Sequence, residues 1–296
     1  MIFNFHDIVA DGLPIRSDQI TVSTFRQQIS WIQQHFKIVR IDTLIEKFQT
    51  EDLQEPLAAI SFDDGYRSHY SIVKPILDEL NIKAVFYISS AHLEHDYYWH
   101  DLVETFCQHS SVQQQLELSN LVCSLSPKSE SSIIESIKYL TLADRAIALS
   151  LITEFTKPLM KNRLLMNSAE VLELAKNGHL VGGHTLNHPI LSLETEHTCT
   201  NEICNDLIAL DNLLQHKVTS FAYPNGIPGR DFNHTHQDIL ARYGIKYAVN
   251  THKSILTKPL NPLSIPRVNL YGANDSFHCN YLLRMILKSF FTSNTQ

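Results

Sequence analysis

Two acidic residues and two histidines stand at spacings that suit hydrolytic chemistry. Ile60-Ser61-Phe62-Asp63-Asp64-Gly65-Tyr66 is an apolar run that ends in adjacent carboxylates and a glycine. Neighbouring side chains of a strand point to opposite faces, so Asp63 and Asp64 can serve one site only if the chain turns there, which Gly65 permits. The two acids would then take different tasks. The plainer reading is a helix cap, because an aspartate ahead of a helical stretch such as Ser68 to Leu80 accepts backbone N–H groups. Further along, Gly182-Gly183-His184-Thr185-Leu186-Asn187-His188-Pro189 follows a second apolar run. If the chain turns helical after that run, the i, i+4 spacing brings His184 and His188 onto one face, as metal binding requires. Two imidazole nitrogens and a carboxylate oxygen make an open metal site, suited first to Zn²⁺ with a place left for water, and also to Fe²⁺, Co²⁺ or Ni²⁺. A third segment, Phe221-Ala222-Tyr223-Pro224-Asn225-Gly226, runs a strand into a Pro-Asn-Gly turn. It is either simply a tight turn or a turn that presents backbone N–H groups to a site.

The elements that must position these groups alternate. Short apolar runs at IFNF, KIVRI, LAAISF, AVFYIS, HLVGGH, VTSFAY, KYAVN and SIPRVNL read as strands. Helical patterns lie between them, at Thr24 to His35, Ser68 to Leu80, Ser168 to Lys176, Thr198 to Leu214 and Gln237 to Tyr243. That alternation predicts a parallel sheet with crossover helices, and the number and order of strands point to an α/β fold, a complete or distorted (β/α) barrel. From about residue 99 to residue 165 the rhythm gives way to helical patterns with serine-rich punctuation around Ser124 to Ser132, which predicts a helical insertion. Such an insertion is either packing or a wall over a substrate groove. The whole chain, residues 1–296, is expected to form one catalytic domain around it. The late run YLLRMILKSFF is expected to be a packed helix, with a membrane-surface role as the other possibility.

Composition narrows the partners. A net charge of -7 argues against a nucleic-acid surface, which needs clustered Lys and Arg, and no apolar run is long enough for a membrane span. The opening MIFNFHDIVADG has no basic region or long apolar run, so it reads as a buried strand and not as a signal peptide, and the expected location is the cytoplasm. The five cysteines form no Cys-x-x-Cys pair and are expected to be reduced structural thiols. Of the 16 histidines, His234 and His236 are expected to sit solvated in a polar loop, while His252 follows a strand with no assigned task. Trp99, His100 and Asp101 form a cluster in which the tryptophan either stacks a sugar ring or, more simply, packs the helix it opens.

Taken together, SFDDG, HTLNH and FAYPNG, in that order from about Phe3 to Leu270, resemble the polysaccharide deacetylase family, also described as the NodB homology domain or carbohydrate esterase family 4. The resemblance implies a distorted (β/α) barrel with its site at the C-terminal strand ends, and removal of an N-acetyl or similar acyl group from an amino sugar. It implies that Asp63 is the general base, that Asp64, His184 and His188 hold a divalent metal, and that the backbone N–H of Asn225 helps to bind the oxyanion. The family's usual arginine in the third motif is absent, since Phe221 and Ala222 occupy that stretch, and its late Leu-x-His is not recognisable. The FAYPNG subgroup, with Phe5-His6 early and Pro266-Arg267 late, is the nearer pattern. In that subgroup His6 could face the metal site or protonate the leaving amine, and Arg267 could orient Asp63; a core histidine and a surface arginine are the plainer readings. Two other readings keep the scaffold: a deformylase or amidohydrolase acting on a glycolipid or small amide, and a carbohydrate-binding protein without turnover.

Overall fold

A computed structural model describes residues 1–13, 16, 19–50, 54–126, 132–160 and 162–270. The YLLRMILKSFF segment and most of the serine-rich stretch lie outside the described residues. The chain runs β1 (Ile2–Phe5), β2 (Asp7–Val9), β3 (Gln19–Thr21), α1 (Val22–His35), β4 (Lys37–Ile38), α2 (Ile41–Gln49) and β5 (Leu57–Phe62). It continues through α3 (Lys74–Glu79), β6 (Val85–Ile88), α4 (Trp99–His109), α5 (Val112–Leu125), α6 (Ile133–Lys138) and α7 (Leu142–Thr156). The last stretch holds α8 (Ser168–Lys176), β7 (Leu180–Gly183), α9 (Glu196–Leu214), β8 (Ser220–Ala222), α10 (His234–Tyr243), β9 (Tyr247–Val249) and β10 (Val268–Asn269).

The main sheet has the order β10-β1-β5-β6-β7-β8-β9, with β4 beside the start of β5, and every pairing is parallel. Its two edges meet, because Ile265, just before β10, pairs in parallel with Val249 of β9. The result is the expected distorted (β/α) barrel. A separate two-stranded ladder, β2 with β3, was not apparent as alternation in the sequence.

Every residue of β5 is buried, as a strand covered on both faces requires. Ala58, Ile60 and Phe62 join the core beneath the helices, while Leu57 and Ala59 point into the barrel with Ile2, Val85, Ala222 and Val249. Continuing the inward series, Ser61 and Asp63 are polar. The barrel interior is therefore apolar at its base and polar at its mouth, where Asn4, Ser61, Asp63, Arg267 and Asn269 are all buried.

Helices α4 to α7 form a core of their own around Val103, Phe106, Leu118, Ile137, Ala148 and Ile152. Two expectations are corrected. The segment after the acids is a π-helical turn, His69–Val73, leading into α3, and its N-cap Ser68 makes no side-chain cap, so neither aspartate serves as one. His234 and His236 are not in a loop: they open α10, where the exposed His234 follows Asn233, and His236 is buried. The His236 Nδ1 accepts the Asn233 N–H at 2.9 Å, and its Nε2 lies 3.4 Å from the Cys199 sulfur. Cys107, Cys123, Cys199 and Cys204 are free thiols, and no helix among the described residues is long and apolar enough to cross a membrane.

His179, buried just before β7, accepts the Ala84 N–H on Nδ1 at 3.2 Å, a bond that needs the neutral ring. Burial, helped by Lys83, pulls its pKa from the ordinary 6.5 down to about 4. The unfolded chain therefore takes up this proton first, so the stabilisation is complete above about pH 6.5 and is lost as pH falls toward 4. Urea midpoints measured from pH 7.5 to 4.5 should drop less steeply in His179→Gln, whose amide oxygen accepts the same N–H without titrating. Parallel curves for the two proteins would remove His179 from the acid response.

Candidate active site

Strand β5 delivers Asp63 inward, and Arg267 meets it with both guanidinium nitrogens, Nη1 to Oδ1 at 2.8 Å and Nη2 to Oδ2 at 2.6 Å. Neither residue is more than 2% exposed. The Asn4 amide adds a bond to Oδ2 at 3.0 Å. The same Nη1 also lies within hydrogen-bonding distance of the Asn4 side-chain oxygen (2.7 Å) and the Ser61 hydroxyl (3.2 Å), and Nε donates to the Asn250 carbonyl at 3.2 Å. Burial by itself would raise the Asp63 pKa, but the charge and hydrogen bonds of Arg267 outweigh it and hold the carboxyl below the usual range.

Asp64 breaks the strand alternation. Its own φ is 73° and that of Gly65 is 66°, so the chain turns at the second acid and returns its side chain to the mouth that Asp63 faces. The Tyr98 hydroxyl fixes the turn by donating to the Asp64 carbonyl at 2.8 Å. Asp64 Oδ1 lies 3.4 Å from His184 Nε2 and 3.4 Å from His188 Nε2. The histidines do not reach it from a helix, as the i, i+4 spacing had suggested. They reach it from an irregular loop in which Thr185 has φ 64° and His188 has φ 53°.

The three donor atoms lie within 4.8 Å of one another. Tetrahedral ligands about 2.1 Å from an ion stand about 3.4 Å apart, so the oxygen-to-nitrogen distances fit a cation of zinc's size. The tautomer fits as well, since His184 Nδ1 donates to the Ala222 carbonyl at 2.7 Å and leaves Nε2 with a lone pair toward Asp64. Burial would raise the Asp64 pKa, yet the two imidazoles hold it well below the usual carboxylate range. Against the opposing effect of burial, Asp64 and Asp63 push His184 up, while burial and the charge of His184 push His188 well down.

These side chains line one cleft of about 690 Å³. His6, between β1 and β2, lies on its wall, and its carbonyl accepts from His69 Nε2 at 2.7 Å. Asn225 also lines the cleft, with φ 57°, in a turn fastened by the Thr251 hydroxyl on the Asn225 carbonyl and the Thr251 N–H on the Gly226 carbonyl at 3.0 Å. The insertion supplies a further wall with Trp99, Glu104 and Lys138.

Trp99, His100 and Asp101 stand together beside the cleft, with the Trp99 and His100 rings edge-on at 5.4 Å and His100 Nε2 3.9 Å from Asp101 Oδ1. Trp99 packs in the insertion core and its ring also borders the cleft, His100 meets the Tyr66 hydroxyl at 2.7 Å, and Asp101 accepts the Tyr98 N–H at 2.8 Å and binds Arg16. His252 is exposed and outside the cleft lining. Sequence reasoning missed Asn4 and Asn269, whose side chains bond at 3.1 Å; the signal was a polar residue inside each of two buried strands, facing each other in register. It also missed Tyr98, for which no sequence signal is apparent.

The model of the polysaccharide deacetylase family matches residues 50–248, a span that contains all three motifs but neither His6 nor Arg267. Among curated proteins, none matches this chain by sequence. Several solved structures share the fold. The deacetylase PplD of Streptococcus pyogenes, in complex with acetate, is 17% identical with a TM-score of 0.62 over 91% of each chain. IcaB of Ammonifex degensii is 17% identical with a TM-score of 0.61 over 93% of this chain and 92% of its own. A de-N-acetylase of Aggregatibacter actinomycetemcomitans is 16% identical with a TM-score of 0.57 over 90% of this chain and 93% of its own. At these identities the likeness is one of fold, and the motif-spanning family match carries the assignment: this chain belongs to the polysaccharide deacetylase family.

Proposed function

We propose that the chain hydrolyses an N-acetyl or similar acyl group on an amino sugar, using a divalent cation, zinc first, held by Asp64, His184 and His188. The observation that carries this reading is the placement, in one cleft, of a three-donor set with matching separations beside a buried, ionised carboxylate that belongs to no donor set. Membership of the polysaccharide deacetylase family supports the reaction class and an acylated sugar substrate, and the names of the structural relatives, a deacetylase and a de-N-acetylase, support removal of an acetyl group.

The ion, when bound, supplies Lewis-acid charge that polarises the acyl carbonyl and makes a neighbouring water more acidic. Asp63 is the proton acceptor. Its Oδ2 already receives Arg267 and Asn4, whereas Oδ1 receives only Arg267, so Oδ1 keeps the lone pair for the proton of the attacking water. Arg267 keeps that acid ionised and its two oxygens fixed in direction. The Asn225 N–H, from the same cleft, stabilises the oxyanion, a contribution of about 3 kcal/mol for one such donor. His6 protonates the departing amine. A 690 Å³ cleft open between barrel and insertion accommodates a sugar that continues into a longer glycan.

Asp63→Asn should therefore keep ion uptake and lose turnover by about 10²- to 10⁴-fold, whereas His184→Ala should lower ion content itself. Acetate release from acetylated oligosaccharides, read beside elemental analysis, separates the two, and near-normal turnover in Asp63→Asn would end the base assignment.

A second outcome concerns pH. Because Arg267 depresses the Asp63 pKa, replacing it raises that pKa, and the acid limb of kcat/KM should move to higher pH in Arg267→Lys, whose single ammonium cannot match both carboxylate oxygens. Arg267→Met, which leaves a buried carboxylate unpaired, should cost about 3–5 kcal/mol of stability by denaturant titration. An unmoved acid limb in Arg267→Lys would show that Asp63 is not the group titrating in the rate.

A further inference from the structure

The loop that carries His184 and His188 is gripped from two directions. On the barrel side, α9 presents two carboxylates one turn apart. Asp206 accepts the His184 N–H at 2.9 Å and the Ser90 N–H at 2.8 Å. Glu202 accepts the Asn187 N–H at 2.7 Å and the Asn187 amide at 2.8 Å. The Glu202 carbonyl takes the Leu186 N–H at 3.0 Å, and the Ser89 hydroxyl donates to the His184 carbonyl at 3.0 Å. The carbonyls at the far end of the loop are met from the insertion instead. Arg145 of α7 donates Nη2 to the Asn187 carbonyl at 2.7 Å and Nη1 to the His188 carbonyl at 3.1 Å.

The two rings are also oriented by different means. His184 is aimed through its far nitrogen, by the bond from Nδ1 to Ala222. His188 Nδ1 is buried and has no hydrogen-bond partner among the described residues, so the usual outer contact that aims a ligating imidazole does not act on it. The direction of the His188 ring follows from its backbone, held at φ 53°, and from the Tyr98 ring at 5.8 Å. A left-handed non-glycine backbone persists only where its surroundings over-determine it. For His188 those surroundings are the Thr185 hydroxyl, which accepts its N–H at 3.1 Å, and Arg145, which donates to its carbonyl.

Arg145 is an expensive residue for packing alone. It is 4% exposed, its guanidinium lies 5.0 Å above the Trp99 ring, and among the described residues no carboxylate pairs with it directly. Burial pulls its pKa down to about 10, which leaves it charged at neutral pH. An aliphatic side chain would cover Trp99 without desolvating an ion. We infer that Arg145 is a positioning residue of the ion site: it fixes the backbone of His188 so that Nε2 faces Asp64, and through it the insertion sets the affinity of the site for its cation. The inference rests on the reading that Asp64, His184 and His188 hold an ion.

The test titrates the metal-free full chain with Co²⁺ and follows visible absorption, a readout independent of turnover. Arg145→Met should bind Co²⁺ about 10- to 100-fold more weakly, the usual size of an outer-contact loss, with its far-UV dichroism unchanged, and Arg145→Lys should recover part of the affinity. If Arg145→Met does not fold, Arg145→Gln takes its place in the same titration. Ile152→Ala, in the insertion's own core, controls for simple loosening; it should lower the unfolding midpoint and leave Co²⁺ affinity as it was. Wild-type affinity in Arg145→Met, or an equal loss in Ile152→Ala, overturns this inference while the ion site stands, provided that the wild type binds and His188→Ala does not. A wild-type chain that takes up no Co²⁺ ends the ion-site reading and this one together.

Discussion

A carboxylate and a guanidinium locked together at the mouth of the barrel, Asp63 with Arg267, are the constraint around which the cleft is arranged. Moving two such ions out of water costs several kcal/mol each, and only close geometry with further hydrogen bonds offsets it. Here the geometry is a two-pronged match, and Asn4, Ser61 and the Asn250 carbonyl also lie within hydrogen-bonding distance of the guanidinium. The pair also ties distant parts of the chain together, since Asp63 follows β5, Arg267 precedes β10, and β1 lies between those two strands. With Asp63 committed inward, its neighbour can reach the same mouth only by leaving the extended conformation, which is what the left-handed turn at Asp64 does.

That turn is one of several. Among the described residues six non-glycine residues have positive φ, and four of them, Asp64, Thr185, His188 and Asn225, belong to the cleft or to the loop of the two histidines. Backbone in this region is uphill for residues with a Cβ, by about 1–3 kcal/mol where it is poorly populated, and it collects where side chains must be aimed in directions that regular strands do not offer. Parallel strands end with side chains alternating inward and outward. A site that needs three donors and a spare acid to converge has to bend the chain just past the strand ends, and the stable barrel core below supplies the rigidity that holds those bends.

The legible part of this protein was the part governed by periodicity and by local motifs. The buried run at LAAISF, with its acids at the end, indicated both a parallel strand and a place for chemistry, and the helical patterns at Thr24 to His35, Ser168 to Lys176 and Thr198 to Leu214 correspond to α1, α8 and α9 within a few residues. The same rules failed where the backbone leaves its regular regions. The spacing of His184 and His188 implied a helix, but a loop with two left-handed residues brings the rings together equally well, and no pattern of residue types announces a left-handed threonine. His236 looked solvated because its neighbours are polar; those neighbours are the capping residues of α10, and the ring lies inward against Cys199. Nothing local to α7 says that the loop of the histidines will lie against Arg145.

The contacts between the insertion and the barrel explain why that blindness matters. The barrel and the insertion have separate large apolar cores, joined by a small buried cluster of Tyr66, Tyr98 and Leu165 and by polar contacts gathered near the cleft. Tyr98 holds the Asp64 carbonyl, Arg16 binds Asp101 and Glu104, the Tyr66 hydroxyl meets His100, and Arg145 holds the loop of the histidines. A hydrophobic interface would tolerate small shifts, because burial is not directional. Hydrogen bonds weaken steeply with misalignment, and two of these bonds end on the backbone carbonyls of Asp64 and His188. An excursion from the barrel that first reads as a wall for substrate is thereby tied to two of the three groups that would hold the ion.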